Sequence, residues 1–449
     1  MKRVSAMVIG MVLAAGLAAS ASARTEKLTS VLSTPMGITL QPLGVGQGLG
    51  IEFNASGGFL AAHKTAYGDA KGMTLYTYAK DEAGKSNCIG ECTKSFLPAV
   101  AGKDAKAFGE WSLIKRDDGA RQWAVKGKPL YTYVEDKIPG SVGGQMPGGR
   151  GYGRAYAADG AGGDMKKTAM SPEWQPAVYD PEADIPMPRG IGMDDIGDAN
   201  GRGLVDGIGM TIYAFNGDAN KDKAGCKTPC VSPWKPVVSP QLSLPVGDFT
   251  VVVRNDGINQ WAYKGAALYT YEGDRAAHYA NGIGVDKRFQ VALVSHFYMP
   301  PDVKMTSTPG RGKVLANAQG LTLYRHDAVA YQTGGGHSLR RGVILRPGVG
   351  RQIGIKGCEF KCLEKWKPLL ASANAQPSGY WETIVRHEGT KQWVYKGFPQ
   401  WTYAGDTKPG DMYGNDTYDI AVSHDPNTKV DLGTPQVGAP GLYWLIQEP

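Results

Sequence analysis

Three Cys-x-x-x-Cys pairs constrain this chain more than anything else in it, because each is followed by the same residues at the same distances. Cys88/Cys92, Cys226/Cys230 and Cys358/Cys362 are its only cysteines. An aromatic stands four residues after each second cysteine (Phe96, Trp234, Trp366), and a proline two further on (Pro98, Pro236, Pro368). Arg116, Arg254 and Arg386 come next, then Gln122-Trp123, Gln260-Trp261 and Gln392-Trp393. Each copy closes on an aspartate (Asp136, Asp274, Asp406), 48 residues after its first cysteine and without a gap. A register held over that distance marks one unit built three times.

A fainter duplication lies inside each unit. Its core is Tyr-x-aromatic-x-x-Asp: Tyr76, Tyr78 and Asp81 before the first cysteine pair, Tyr131, Tyr133 and Asp136 after it. Unit two has Tyr213, Phe215 and Asp218, then Tyr269, Tyr271 and Asp274. Unit three has Tyr324 and His326, then Trp401, Tyr403 and Asp406. The local pattern is β. Phe249 to Arg254 alternates and is β-branched, Asn255-Asp256-Gly257 and Lys264-Gly265 are turn signals, and Gln260 to Tyr263 and Leu268 to Tyr271 read as strands. The same meander fits Trp111 to Tyr133 and Trp381 to Tyr403. Alternation in Leu-Tyr-Thr-Tyr puts the tyrosines on one face and leucine and threonine on the other. Apolar strands at Trp174 to Val178, Phe289 to Val294 and Tyr418 to Val422 are expected to end the three units.

The expected fold is all-β, with three tandem β-meander repeat domains, each of two related meanders over a shared aromatic core. One six-bladed β-propeller with a half-unit per blade is the alternative. Proline-rich joints at Pro181 to Pro188 and at Pro300-Pro301 place the domains at residues 24–185, 186–299 and 300–449. The third carries a basic, glycine-rich insertion at 328–357.

Residues 1–23 read as a secretory signal peptide. Lys2 and Arg3 precede an apolar run from Met7 to Ala19, too short to span a membrane, and Ala21-Ser22-Ala23 is a small-x-small cleavage site. No lipid-attachment cysteine stands beside it. Losing Lys2 and Arg3 takes the formal charge from +7 to +5. That charge is interspersed, which argues against nucleic acid as a partner, since nucleic acid wants a concentrated basic face. No transmembrane span is expected in the mature chain, and the location is periplasmic or extracellular.

In an exported chain, close cysteine pairs in even number point to disulfides. Paired thiolates for copper are the functional alternative, but copper sites also need histidine, and Phe96, Trp234 and Trp366 stand where one would be. Haem-attachment spacing is absent. His63, His278, His296, His387 and His424 show no zinc spacing, so no metal site is assigned. No Gly-x-Ser-x-Gly elbow appears, and no catalytic residue is assigned. The tyrosines and aspartates admit three readings: core aromatics with turn aspartates, exposed platforms for sugars or aromatic ligands, or a row of rings passing electrons.

Unit three breaks its own pattern, so a specific site is sought there. His326 replaces an aromatic, and Val329 stands where the aspartate belongs. The stretch before Cys358 holds Gly334-Gly335-Gly336-His337, Arg340, Arg341, Arg346, Arg351 and Lys356, with no acid between Asp327 and Glu359. Backbone N–H groups of a glycine run and arginine forks suit an anion. His326, His337, Arg340, Arg341, Arg346 and Arg351 are the candidate ligand-binding residues.

Gly-Met-Thr-Leu-Tyr-Thr-Tyr-x-x-Asp, the cysteine pair with its following aromatic-x-Pro, and Asp-Gly-x-x-Gln-Trp-x-x-Lys-Gly-x-x-Leu-Tyr-Thr-Tyr resemble the bacterial secreted-repeat family, which includes predicted lipoproteins defined by Tyr-x-aromatic-x-x-Asp. The resemblance covers nearly all of the mature chain in three tandem copies. It carries over no catalytic residue; the cofactor is unknown, and the sequence requires none. The expectation is therefore an exported, non-enzymatic binding or scaffold protein, since repetition supplies extended surface. Its partner would be another exported protein or a small anionic or aromatic ligand. An electron-transfer or copper-handling accessory, and an enzyme with its site in unit three, are the alternatives.

Overall fold

The computed structural model describes residues 28, 30–42, 52–53, 59–60, 65–136, 139–140, 142–145, 173–180, 185–216, 233–308, 312–326, 358, 362–386, 388–418 and 443–449. Strands dominate. Among the described residues the α-helical turns are Cys92–Ser95 and Cys362–Lys365, each immediately after its unit's cysteine loop.

Each unit is two meanders that share one sheet. In the second half of unit one, Trp111–Lys115 pairs with Arg121–Val125, which pairs with Lys128–Pro129, and the chain runs on into Tyr131–Tyr133. Phe249–Val253, Asn259–Tyr263 and Ala266–Tyr271 repeat this in unit two. Trp381–Val385, Lys391–Tyr395 and Phe398–Pro399, leading to Trp401–Tyr403, repeat it in unit three. The tight turn is Lys-Gly each time, with φ of 50° and 74° at Lys126-Gly127, 46° and 77° at Lys264-Gly265, and 48° and 86° at Lys396-Gly397. Two consecutive positive φ values define the turn type that matches strand twist, and glycine at the second position makes it inexpensive.

The first halves have the same order. Hairpins Thr39–Pro42/Thr65–Gly68, Ile191–Ile196/Gly201–Asp206 and Val303–Thr308/Gly312–Asn317 lead into Leu75–Tyr78, Ile212–Phe215 and Tyr324–His326. The bridges Gly68↔Thr74, Val205↔Thr211 and Ala316↔Thr322 join hairpin to third strand. The two third strands of a unit then lie antiparallel with their motif residues opposed: Tyr76↔Tyr131, Tyr213↔Tyr269 and Tyr324↔Trp401.

Outer strands cross between halves. Phe96–Pro98, which leaves the first half, pairs with Tyr131–Tyr133 of the second. Trp174–Pro176, which leaves the second half, pairs with Leu75–Tyr78 of the first. Trp234–Pro236 and Phe289–Val291 do the same in unit two. In unit three the partners are Trp366–Pro368 and Tyr443–Ile446. This corrects the sequence expectation for the end of unit three. Of the strand expected at Tyr418 to Val422, residues 419–422 lie outside the described residues; Thr417–Tyr418 pairs with Tyr443–Ile446, whose Trp444 takes the place held by Trp174 and Phe289. Phe96 stacks on Trp174, Trp234 on Phe289 and Trp366 on Trp444, with centroids 3.5, 4.0 and 3.8 Å apart.

Both faces of the shared sheet are covered. Leu75 and Leu130 pack on Trp111, Trp123 and Val125; Ile212 and Leu268 on Phe249 and Trp261; Leu323 on Trp381 and Trp393. The tyrosine face closes over the stacked rings. The sheets are separate and small, so the chain is a tandem β-meander repeat and not a closed propeller. One segment touches all three units. Val31–Leu32 pairs in parallel with Ser295 and His296, Ser33 O accepts from Trp111 Nε1, and Gln41 Nε2 donates to Glu382 Oε1 at 2.8 Å.

Candidate functional site

The motif tyrosines and aspartates meet across the two halves of a unit. Tyr76 OH donates to Asp136 Oδ2 at 2.6 Å, Tyr213 OH to Asp274 Oδ2 at 2.8 Å and Tyr324 OH to Asp406 Oδ2 at 2.5 Å. The first-half tyrosine thus uses the second-half aspartate. Unit one also shows the reverse bond, Tyr131 OH to Asp81 Oδ2 at 2.7 Å. The other oxygen of each second-half aspartate accepts a backbone N–H, from Gly143 (2.9 Å), Asn281 (2.6 Å) and Tyr413 (2.9 Å). The next residue is always glycine (Gly144, Gly282, Gly414), and its N–H donates to the same tyrosine oxygen at 3.1 to 3.3 Å. A Cβ on Gly282 would lie 2.8 Å from the Trp234 ring and 2.9 Å from Tyr213 Cζ, so no larger residue fits against the stack.

A second network runs through each meander and, in units one and three, ties the cysteine turn to it. Arg116, Arg254 and Arg386 are buried, and one guanidinium nitrogen of each donates to Gln122, Gln260 or Gln392 Oε1 at 2.8, 3.2 and 2.8 Å. Those glutamines donate onward to the carbonyls of Leu130, Leu268 and Gln400. Arg116 also donates to Cys88 O (2.9 Å), and Arg386 to Cys358 O (3.3 Å). Cys88–Cys92 and Cys358–Cys362 are disulfides, so these four sulfurs are not thiolate ligands. Cys226 and Cys230 lie outside the described residues.

Burial pushes the Asp274 and Asp406 carboxyls above the ordinary range, against the lowering effect of their tyrosine and backbone donors; Asp198 and Asp411 add to the rise. Burial, reinforced by the facing aspartate, pushes Tyr76, Tyr213 and Tyr324 well up. A raised carboxyl holds its proton more tightly in the folded chain, so its contribution is present below the ordinary carboxylate pKa and is lost as pH rises through the folded value. The stability of wild type relative to Asp274→Asn should therefore grow on acidification from pH ~6 to pH ~4. Urea titrations of both chains across that range measure the difference, in which the exposed, lowered carboxyls of Asp118 and Asp256 cancel. A difference that stays flat would put Asp274 in the ordinary range.

Of the residues expected to bind a ligand, His326 is described and is buried in the core. It stands opposite Trp444 with ring centroids 4.7 Å apart, the place that Tyr78 and Phe215 take in the other units. His337, Arg340, Arg341, Arg346 and Arg351 lie outside the described residues, as does Asp218. Among the described residues no group of three His, Cys, Asp or Glu side chains is placed to hold a metal, and no helix is long and apolar enough to cross a membrane.

Sequence reasoning missed two features. The glycine eight residues after each closing aspartate was legible as a constant spacing: Asp136/Gly144, Asp274/Gly282, Asp406/Gly414. The other is a polar junction between units. Tyr380 OH donates to Asp195 Oδ2 at 2.9 Å, Arg202 donates to Asp195 Oδ1 at 2.9 Å, and Lys396 lies over the Tyr380 and Tyr395 rings at 5.2 and 5.1 Å. Burial pushes Lys396 down and raises Tyr179, beside Asp195, to about 12. No repeated motif marks this junction, because it draws on residues that differ between units.

Four stretches, residues 64–99, 112–148, 250–291 and 382–421, match a family model described as a secreted repeat of unknown function. Each stretch falls within one half-unit: both halves of unit one and the second halves of units two and three. These four stretches are similar to that secreted repeat, and the similarity supports an exported location. No curated protein and no solved structure matches it.

Proposed function

We propose that the chain is an exported, non-enzymatic binding or scaffold protein of the periplasm or cell exterior, its three repeat domains spanning residues 24–185, 186–299 and 300–449. The observation that supports this is the fate of the motif. In all three units its tyrosine and aspartate are buried against each other, so the repeated polar groups build a framework and leave recognition to surfaces that differ between copies. A framework of that kind offers extended area more readily than one reactive centre. The anion-binding reading of His337, Arg340, Arg341, Arg346 and Arg351 belongs to the same proposal, as a ligand contact of unit three.

The test is to assay the mature chain against displayed peptides, glycans and small anions for saturable binding, and against ester, glycoside and phosphate reporters for turnover. Binding without conversion is expected, with His337→Ala and Arg340→Ala affecting anion binding alone. Turnover that disappears with either substitution would replace the proposal with an enzyme.

A further inference from the structure

The three meanders end on strands that are equivalent position by position: Trp111–Lys115, Phe249–Val253 and Trp381–Val385. Each is the edge of its meander. Trp261 pairs in register with Val251 but donates its N–H the other way, to Val237 O at 2.9 Å. Val251 and Trp261 are therefore a non-bonded pair, and the N–H and C=O of Val251 and of Val253 point away from the sheet. Among the described residues no strand pairs with that side. Trp123 and Trp393 donate in the same way to Ala99 and Leu369, so all three edges share this geometry.

An open edge is normally protected by a lysine or by an inward-pointing charge. Unit one has Lys115, exposed, at the outward position. Unit three has Glu382 turned inward and held by Gln41. The equivalents in unit two are Val253, which is 56 % exposed, and Thr250, so its edge carries neither device. The loop leading into this strand departs in the same direction. Leu242 and Leu244 are 93 % and 77 % exposed, where unit one has Asp104 and Lys106 and unit three has Asn374 and Gln376. The middle unit alone combines an unprotected edge with an apolar approach.

We infer that the edge Phe249–Val253 is a strand-addition site for an extended segment of another polypeptide, apolar along its middle and basic at both ends. Backbone pairing along an open edge supplies affinity, and alternate side chains supply choice. The charge argument selects the partner. An antiparallel strand that uses both free positions runs from Asp256 to Asp248, and both aspartates are exposed. Asp248 has a 3.9 Å contact with Lys264 Nζ, and Asp256 a 3.1 Å one with Arg254 Nε. A second copy of this chain, in the register that sets Val251 against Val253, would bring Asp248 against the other copy's Asp256 at each end. Like charges directly opposed disfavour that pairing. A foreign strand with lysine or arginine at those ends avoids that repulsion and sets a further cation beside each exposed carboxylate.

The inference rests on the binding reading above and places one partner class on the middle unit. The probe is a synthetic peptide long enough to lie from Asp248 to Asp256, with lysine at both ends and valine alternating with threonine between. Its binding is read by fluorescence anisotropy. Saturable binding is expected, weakened about tenfold or more by glutamate ends or by Val251→Pro. That substitution removes an outward N–H and no ladder bond. Val253→Lys, which protects the edge without touching the backbone, should weaken binding similarly and guards against a folding defect in the proline variant. Failure of this peptide to bind the wild type overturns the inference, as does binding indifferent to both variants. Self-association abolished by Val253→Lys would also overturn it, by making a second copy the occupant. If the displayed ligands of the preceding section bind while this peptide does not, the edge site falls and the binding reading stands.

Discussion

Trp366→Ala should destabilise the third unit by about 3–5 kcal/mol, the range for emptying a large aromatic site in a packed core. Trp366 is fully buried. It stacks on Trp444 at 3.8 Å, tilts against Tyr403 at 4.7 Å and meets Tyr324 edge-on at 5.4 Å, so its removal strips a contact from three further rings. The walls of that space are strands held in register on both sides, which limits collapse. Trp366→Phe should cost far less, about 1–2 kcal/mol, because unit one has Phe96 in this place, stacked on Trp174 at 3.5 Å. Hydrogen exchange reads the effect locally: protection should fall at Trp401–Tyr403 and Tyr443–Ile446 and persist at Ala266–Tyr271. A loss below about 1 kcal/mol in urea titration would mean that the ring is not part of the packed core. It would return the aromatic rows to the pool of ligand platforms.

The three copies, the strand type and the two-meander plan were legible because each leaves a periodic trace. Register between cysteine and aspartate fixed the units, alternation fixed the strands, and Lys-Gly fixed the tight turns. The crossing of halves was not legible, since period and spacing carry no record of which tyrosine meets which aspartate. It accounts for what first read as two separate irregularities in unit three. Trp401 stands where Tyr131 donates to Asp81 in unit one, and Val329 stands where that aspartate belongs. A tryptophan has no hydroxyl to place against the missing carboxylate, so donor and acceptor are absent together. Arg386 instead lies over the Trp401 ring at 5.2 Å. His326 follows the same logic. It breaks the motif in sequence, yet in the fold it fills the aromatic place opposite the closing strand. The closing strand of unit three was misplaced for a different reason. Thr417–Tyr418 and Tyr443–Ile446 both carry an aromatic beside aliphatic or β-branched residues, and only the stack on Trp366 distinguishes the true equivalent.

Asp274→Ala should cost about 2–4 kcal/mol, because it strands a buried hydroxyl and a part-buried backbone N–H at once. Asp274 Oδ2 accepts from Tyr213 OH at 2.8 Å, and Oδ1 from Asn281 N–H at 2.6 Å. Alanine leaves both without that acceptor beside a stack closed by Gly282. Tyr213→Phe should cost about 2 kcal/mol, since the carboxylate loses a charge-assisted bond and Gly282 N–H loses the tyrosine oxygen it donates to at 3.1 Å. The double variant should fall short of the sum by about 1–2 kcal/mol, the coupling expected of groups in one network. Asp256→Ala, on an exposed turn carboxylate that accepts from Arg254 Nε and from Ile258 N–H, is the control and should stay within about 1 kcal/mol of wild type. Additivity of the two core changes would show that tyrosine and aspartate act separately. Coupling has a consequence for how the repeat is assembled. Each half supplies the stacking ring and the outer strand that the other half lacks, and the second half supplies the acceptor for the first-half tyrosine. A first half alone therefore exposes an open sheet edge and an unpaired tyrosine, and the smallest piece that satisfies its own hydrogen bonds is the pair.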